Sequence, residues 1–190
     1  MRFVVTGNMG CGKSTVVGML REMLPSHRLF DFDRAVHNLY QDPTVILMLM
    51  LEFNTSDRRQ ISDIVHADPV KMKRLGEIMN ASLLHQLQDA CVDDDVILDV
   101  PLWFEILDAR GDRELEVDGV VCVTCQPEKQ RNRIRSRNGF SDEKIDAILS
   151  KQLPQDVKAS RSQYVIDNSG TLDDLRAQVV RFIQKGFNND

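Results

Sequence analysis

The run Gly7-Asn8-Met9-Gly10-Cys11-Gly12-Lys13-Ser14, with Thr15 behind it, constrains this chain more than any other feature. It fits the pattern Gly-x-x-x-x-Gly-Lys-Ser/Thr in full, a pattern that carries chemistry only where a strand leads in and a helix leads out. Both flanks are of that kind. Arg2 to Thr6 is a short apolar run of strand type, and Lys13 to Leu24 spaces its apolar residues as a helix does. Phosphate oxygens concentrate negative charge, so the glycines let backbone N–H groups close around them while the helix N-terminus adds its positive end. In such a loop the lysine, here Lys13, reaches the β- and γ-phosphates of ATP, and the hydroxyl of Ser14 ligates Mg²⁺. Gly7, Asn8, Met9, Gly10, Cys11, Gly12, Lys13, Ser14 and Thr15 are therefore the expected ATP-binding residues.

Further apolar runs fall at Arg28 to Phe32, Val96 to Val100, Gly119 to Thr124 and Tyr164 to Ile166, each reading as a buried parallel strand. From Ala35 to Ala90 the pattern is helical throughout: Pro43 opens one helix, and Asp68-Pro69 forms an N-cap and first-turn pair for a longer one. The expected fold class is α/β, a five-stranded parallel sheet flanked by helices, with a helical subdomain inserted over residues 35–92 and a helical lid over 127–153. A chain of 190 residues is long enough for about one such domain, 1–190. The last helix is expected from Leu172 to Lys185, with Asn188 to Asp190 as a tail.

Composition sets the remaining bounds. Apolar residues make up 42% and charged residues 28%, an ordinary globular balance, and the formal charge of −5 favours neither nucleic acid nor an anionic membrane as partner. The longest apolar run, Val45 to Leu51, falls far short of the roughly 20 residues that cross a bilayer. The segment before Gly7 is too short for a secretory apolar region, so the expected location is cytoplasmic and the expected partner is a small molecule. The four cysteines are Cys11, Cys91, Cys122 and Cys125. Cys122 and Cys125 have the CxxC spacing inside a strand-like run, without a second pair, and read as buried thiols in preference to a metal or redox pair. The four histidines show no metal-ligand spacing and are assigned no chemistry.

Other candidates follow from where the strands end, since ligands of an open parallel sheet gather at its carboxyl edge. Asp99 closes the run Val96-Ile97-Leu98-Asp99, where a carboxylate either reaches Mg²⁺ or its water shell or caps the strand end. Trp103 and Phe104 behind it read as core. Asp31 and Asp33 end the second strand, so one of them is expected to face the acceptor. Transfer to an alcohol needs a group to take the hydroxyl proton, and Asp33 is the candidate base; its alternative is to cap a helix beginning near Arg34. Arg131, Arg133, Arg135 and Arg137 recur every second residue in a helix, putting Arg131 with Arg135 on one face and Arg133 with Arg137 on another. One pair is expected to stay solvated while the other closes over the polyphosphate.

Taken in order along the chain, these segments resemble the dephospho-CoA kinases, a family with the P-loop kinase fold. Gly10-Cys-Gly-Lys-Ser-Thr15 is similar to the family's GSGKST, Asp31-Phe-Asp33 with His37 to its DADxIAH segment, and Asp99-Val-Pro-Leu-Trp-Phe-Glu105 to its DxPLLFE segment. Arg58-Arg59 resembles its substrate-domain arginines, Arg133 and Arg137-Asn-Gly with Gln152 its lid, and Val165-Ile-Asp-Asn-Ser-Gly170 its closing VIDNSG. The resemblance implies ATP and Mg²⁺ as the donor pair and transfer of a phosphoryl group to the 3′-hydroxyl of dephospho-CoA. It implies Asp33 as base, Arg133 and Arg137 as the lid arginines, Asp167 and Asn168 on the adenine side, and Asp31, Arg59, Pro101, Leu102 and Glu105 toward the acceptor. Two positions depart from the pattern: Asn80-Ala81 stands where the family has His-Pro, and Gln155 stands where it has an arginine, leaving Lys158 the basic residue nearby. A nucleoside or deoxynucleoside monophosphate kinase needs the same donor site with another acceptor pocket. A P-loop ATPase or nucleotide switch needs a positioned water instead, and the helical insertion and arginine lid speak against it.

Overall fold

The computed structural model describes residues 1–92, 95–110 and 116–186; the tail expected at 188–190 lies outside them. Five strands and ten helices alternate among the described residues. The strands are β1 (Arg2–Thr6), β2 (Arg28–Asp31), β3 (Val96–Asp99), β4 (Gly119–Thr124) and β5 (Tyr164–Asp167). They form one sheet in the order β2-β3-β1-β4-β5, with parallel pairing between β1 and β3, β1 and β4, and β4 and β5. The helices are α1 (Lys13–Met23), α2 (Phe32–Leu39), α3 (Pro43–Phe53), α4 (Arg58–Ala67), α5 (Pro69–Ala90), α6 (Trp103–Arg110), α7 (Pro127–Asn138), α8 (Asp142–Leu149), α9 (Gln155–Ser160) and α10 (Leu172–Gly186).

The chain divides into two compact units, Met1–Leu29 with Asp94–Asp190, and Phe30–Asp93. In the first, β1, β3 and β4 are apolar on both faces and almost wholly buried, as strands covered by helices on both sides must be. Phe3, Val5, Ile97, Val121, Val123 and Ile166 from the sheet pack with Val16 and Leu20 of α1 and Val179 and Phe182 of α10. Phe182 meets Phe3 edge-on, ring centroids 5.2 Å apart, and Tyr164 likewise at 5.0 Å. Such tilted pairs add about 0.5–1.5 kcal/mol beyond area burial. Trp103 and Phe104 are buried in the core, as their apolar setting indicates.

The second unit is built from α2 to α5 around Leu39, Val45, Leu49, Phe53, Ile61, Val65 and Leu83. Each helix opens on an aspartate whose carboxylate accepts from backbone N–H groups of the first turn: Asp31, Asp42, Asp57 and Asp68, with proline in the first turn after Asp42 and Asp68. The first of these corrects the sequence reading. α2 begins at Phe32 rather than near Arg34, and Asp31 is the cap, accepting from Arg34 N at 2.9 Å, which leaves Asp33 one residue inside the helix. The reason is that β2 stops at Asp31, one residue earlier than its apolar run, since Phe32 can serve a helix face equally well. α3 buries Val45, Leu49 and Phe53 on one stripe yet exposes Leu47, Met48, Met50 and Leu51 on the rest of its surface.

Candidate active site

Because β1 is the central strand and β3 its neighbour, the loop that follows β1 and the acid that ends β3 come to the same edge of the sheet. The register pairs Val5 with Asp99, and Lys13 Nζ forms an ion pair with Asp99 Oδ1. Both side chains are nearly buried, at 14% and 13% exposure, so this pair sits in a low-dielectric pocket where charge counts for more than at the surface. Ser14 and Thr15, in contrast, are exposed. Helix α1 opens at Gly12, which is in the left-handed region (φ 89°) and offers no side-chain cap, so its first amides are left for a ligand. Gly10 (φ 83°) is required for a second reason: a Cβ there would stand 2.7 Å from Ile134 and 2.9 Å from the carbonyl oxygen of Gln130, both on α7.

The loop is held from outside by amide side chains drawn from far along the chain. Asn8 Nδ2 donates to the Leu153 carbonyl at 2.9 Å, Met9 N donates to Gln152 Oε1 at 3.1 Å, and Gln130 Nε2 donates to the Met9 carbonyl at 2.7 Å. Gln155 joins three parts at once. Its Oε1 accepts from Cys11 Sγ at 3.1 Å and from Cys125 N at 2.9 Å, and its Nε2 donates to Gln130 Oε1 at 3.0 Å. The position read as a lost arginine is thus occupied by a brace that a cation could not replace, since Oε1 must accept a backbone N–H.

Asn168, read as an adenine-side residue, is buried and donates from Nδ2 to the Cys11 carbonyl at 2.8 Å. Arg133 shares that carbonyl (3.4 Å) and donates to the Asn168 carbonyl at 3.0 Å, so this arginine lies against the phosphate loop. Asp167 is exposed, with Oδ1 accepting from Ser169 N at 3.1 Å. Arg137, on the same helical face as Arg133 by spacing, is exposed and donates to Asn138 Oδ1 at 3.2 Å. The other pair is the solvated one: Arg131 and Arg135 both meet Asp142, at 3.3 and 2.6 Å, and Arg131 also meets Asp146.

Behind β3 the residues similar to DxPLLFE do structural work. The Pro101 carbonyl accepts from Thr6 Oγ1 at 3.0 Å and from Lys158 Nζ at 2.9 Å. Lys158, wholly buried, also pairs with Glu105 Oε1 at 2.8 Å, and the same oxygen accepts from Leu153 N at 2.8 Å. Glu105 Oε1 is therefore committed to the fold, Lys158 is not the accessible cation that its place in the sequence indicates, and Leu102 accepts from Ile106 N at the start of α6. Residues Asp31, Asp33 and Arg59 belong to the second unit. There Asp33 and Arg59 are exposed, Asp31 is the α2 cap, and Arg58 lies over the Tyr40 ring at 5.3 Å.

All four cysteines are buried and none is in a disulfide. Cys122, inside β4, has its thiol pushed up to about 11 by burial. The neighbouring Cys125 and burial hold the Cys11 thiol protonated, while Cys11 and the Arg133 guanidinium lower Cys125. Among the described residues no cluster of histidine, cysteine and carboxylate side chains suits a metal ion by itself, and no helix is long and apolar enough to cross a membrane.

Comparison with known proteins settles the relationship. The sequence profile described as dephospho-CoA kinase matches residues 2–174. The chain belongs to the dephospho-CoA kinase family. A dephospho-CoA kinase of Agrobacterium fabrum is 34% identical over 192 aligned positions, covering 95% of each chain, and one of Rhodopseudomonas palustris (strain ATCC BAA-98 / CGA009) is 35% identical, covering 95% of this chain and 92% of its own. Among solved structures, TT1252 from Thermus thermophilus superposes with a TM-score of 0.79 at 26% identity, covering 98% and 97% of the two chains. A dephospho-CoA kinase from Campylobacter jejuni shares the fold with a TM-score of 0.64 at 19% identity, covering 97% and 96%. Membership of the dephospho-CoA kinase family makes the chain a phosphotransferase with ATP as its nucleotide.

Proposed function

We propose that this chain transfers the γ-phosphoryl group of ATP to the 3′-hydroxyl of dephospho-CoA. The observation that carries the reading is the family match over residues 2–174 together with a complete phosphate loop whose lysine is seated on the acid that ends β3. The amides of the loop and Lys13 bind the β- and γ-phosphates, and Arg133, already against the loop, faces the charge that moves between them. Arg137 joins it when the lid, residues 127–153, closes. Ser14 and Asp99 bring a hydroxyl and a carboxylate to one edge of the sheet, hard oxygen donors of the kind Mg²⁺ takes alongside phosphate oxygens. Bound there, Mg²⁺ neutralises charge on the β- and γ-phosphates.

The helical unit supplies the acceptor side. Asp33, exposed in the first turn of α2, takes the hydroxyl proton, and Arg59 and its neighbours meet the acceptor's phosphates. With Asp31 serving as a cap, one acid remains for this chemistry, and an alcohol acceptor needs one, whereas a phosphate acceptor is already anionic. The test is to incubate the protein with Mg-ATP and, in separate tubes, dephospho-CoA and the common ribo- and deoxyribonucleoside monophosphates, following ADP and product masses. Dephospho-CoA heavier by one phosphoryl group is expected. Turnover of a monophosphate alone would place the chain among nucleotide kinases, and ADP release without any acceptor would make it an ATPase.

A further inference from the structure

The cysteine inside the phosphate loop has a partner that the CxxC spacing does not reveal. We propose that Cys11 and Cys125 form a reversible disulfide beneath the phosphate loop and that this bond switches off nucleotide binding. Two contacts place them together. Gln155 Oε1 accepts from Cys11 Sγ at 3.1 Å and from Cys125 N at 2.9 Å, so one atom anchors both residues. Cys125 Sγ lies 3.9 Å from the carbonyl oxygen of Gly10, the residue before Cys11. The two thiols shift each other's pKa, Cys11 upward and Cys125 downward, and neither is in a disulfide. Cys122, the CxxC neighbour, is excluded by its own surroundings: its side chain belongs to the buried strand β4 and hydrogen-bonds Ser162.

The chemistry divides between the two sulfurs by their settings. The neighbouring Cys11 thiol and the Arg133 guanidinium lower the Cys125 pKa against burial and Asp167, favouring its thiolate, while Cys11 is pushed up and stays protonated. A small peroxide is the oxidant. The Cys125 thiolate attacks a peroxide oxygen, forming an S–O bond as the O–O bond breaks and hydroxide leaves. The Cys11 sulfur then attacks the sulfenic acid, forming the S–S bond as the S–O bond breaks, and the Cys11 proton leaves with the departing oxygen as water. Two thiols and one hydrogen peroxide thus give one disulfide and two waters. Closure draws the sulfurs to about 2.05 Å, well inside hydrogen-bond separation. Gly10 is packed on Ile134 and Gln130, and the Cys11 carbonyl is fixed by Asn168 and Arg133, so the shift falls on the loop amides that bind phosphate. A displacement of that size costs about a hundredfold where geometry sets the chemistry.

The inference rests on the reading of this loop as the ATP site, and one experiment separates the two. The full-length protein is titrated with ATP before and after hydrogen peroxide and again after dithiothreitol, with disulfides mapped by peptide mass in the same samples. The expected result is a Cys11–Cys125 linked peptide pair, ATP affinity lowered about tenfold or more, and recovery on reduction. Cys125→Ala should bind ATP when reduced and ignore peroxide, and Cys122→Ala should remain sensitive. A map without the Cys11–Cys125 link, or a linked protein that binds ATP as before, overturns the proposal; the wild-type map decides it even if a variant does not fold. If the reduced protein itself binds no ATP, the ATP-site reading fails, while the map still reports on the disulfide.

Discussion

In the first unit the chemistry-bearing residues are held by partners far along the chain, Met9 by Gln130 and Gln152, Asn8 by Leu153, Cys11 by Asn168. In the helical unit four aspartates each hold the helix that starts beside it, with an apolar cluster underneath, and the polar contacts between helices include the partly exposed pairs of Glu52 with Lys71 and Arg74. The difference shows how one chain can brace one unit at long range while leaving exposed positions of the other open to change. A phosphate loop braced by the folded sheet is preorganised, and disturbing any brace disturbs the whole. A helix with its own cap forms without help from distant residues, so exposed positions such as Asp33 and Arg59 can vary at little cost to the fold.

Four substitutions probe this contrast, beginning with the greatest effect. Lys13→Ala removes the cation at the phosphates, and steady-state turnover should fall about a thousandfold with circular dichroism unchanged; a fall below tenfold would break the assignment of the loop. Lys158→Met leaves Glu105 unpaired in the interior of the first unit. Breaking a buried pair costs about 3–5 kcal/mol, so the thermal midpoint should drop by roughly 6–20 °C. Asp68→Ala deletes one local cap of the helical unit and should cost only about 1 kcal/mol in urea unfolding, with ATP affinity unaltered. A larger loss there would mean that the Asp68 cap also steadies the pairs of Glu52 with Lys71 and Arg74.

The smallest effect is a pH dependence. Burial lowers the His27 pKa below its usual 6.5, with Asp95 opposing. The unfolded chain therefore binds this proton more readily than the folded one, so stability is full above 6.5 and declines as pH falls from there through the folded pKa. His27→Phe should flatten that part of the profile of unfolding free energy against pH, and an unchanged slope would assign it to other groups.

Much of this contrast can be traced in the sequence, and the untraced part has a common cause. All five strands and the helix starts at Pro43 and Asp68-Pro69 were legible, because each is encoded by neighbours: an apolar run, or a proline in the first turn. The motif and strand context also placed Asp99 near Lys13, because β3 lies next to β1. Helical spacing separated Arg133 from the Arg131 and Arg135 pair, and Asp142 and Asp146 show which pair is solvated. The bracing by Gln155 and the burial of Lys158 were not visible because their partners, Cys125, Gln130, Pro101 and Glu105, are distant in sequence. A buried amide brace has no local signature. The capping role weighed for Asp33 falls to Asp31 for a smaller reason, a strand that ends one residue before its apolar run does.

The central claim is that ATP binding belongs to the braced loop while proton removal from the acceptor belongs to Asp33 in the helical unit. Measuring the ATP dissociation constant and kcat side by side for Asp33→Asn tests it most directly. The account requires kcat to fall about a hundredfold or more while ATP affinity stays within about threefold of the native protein. A comparable loss in both, or a kcat that does not move, would contradict it.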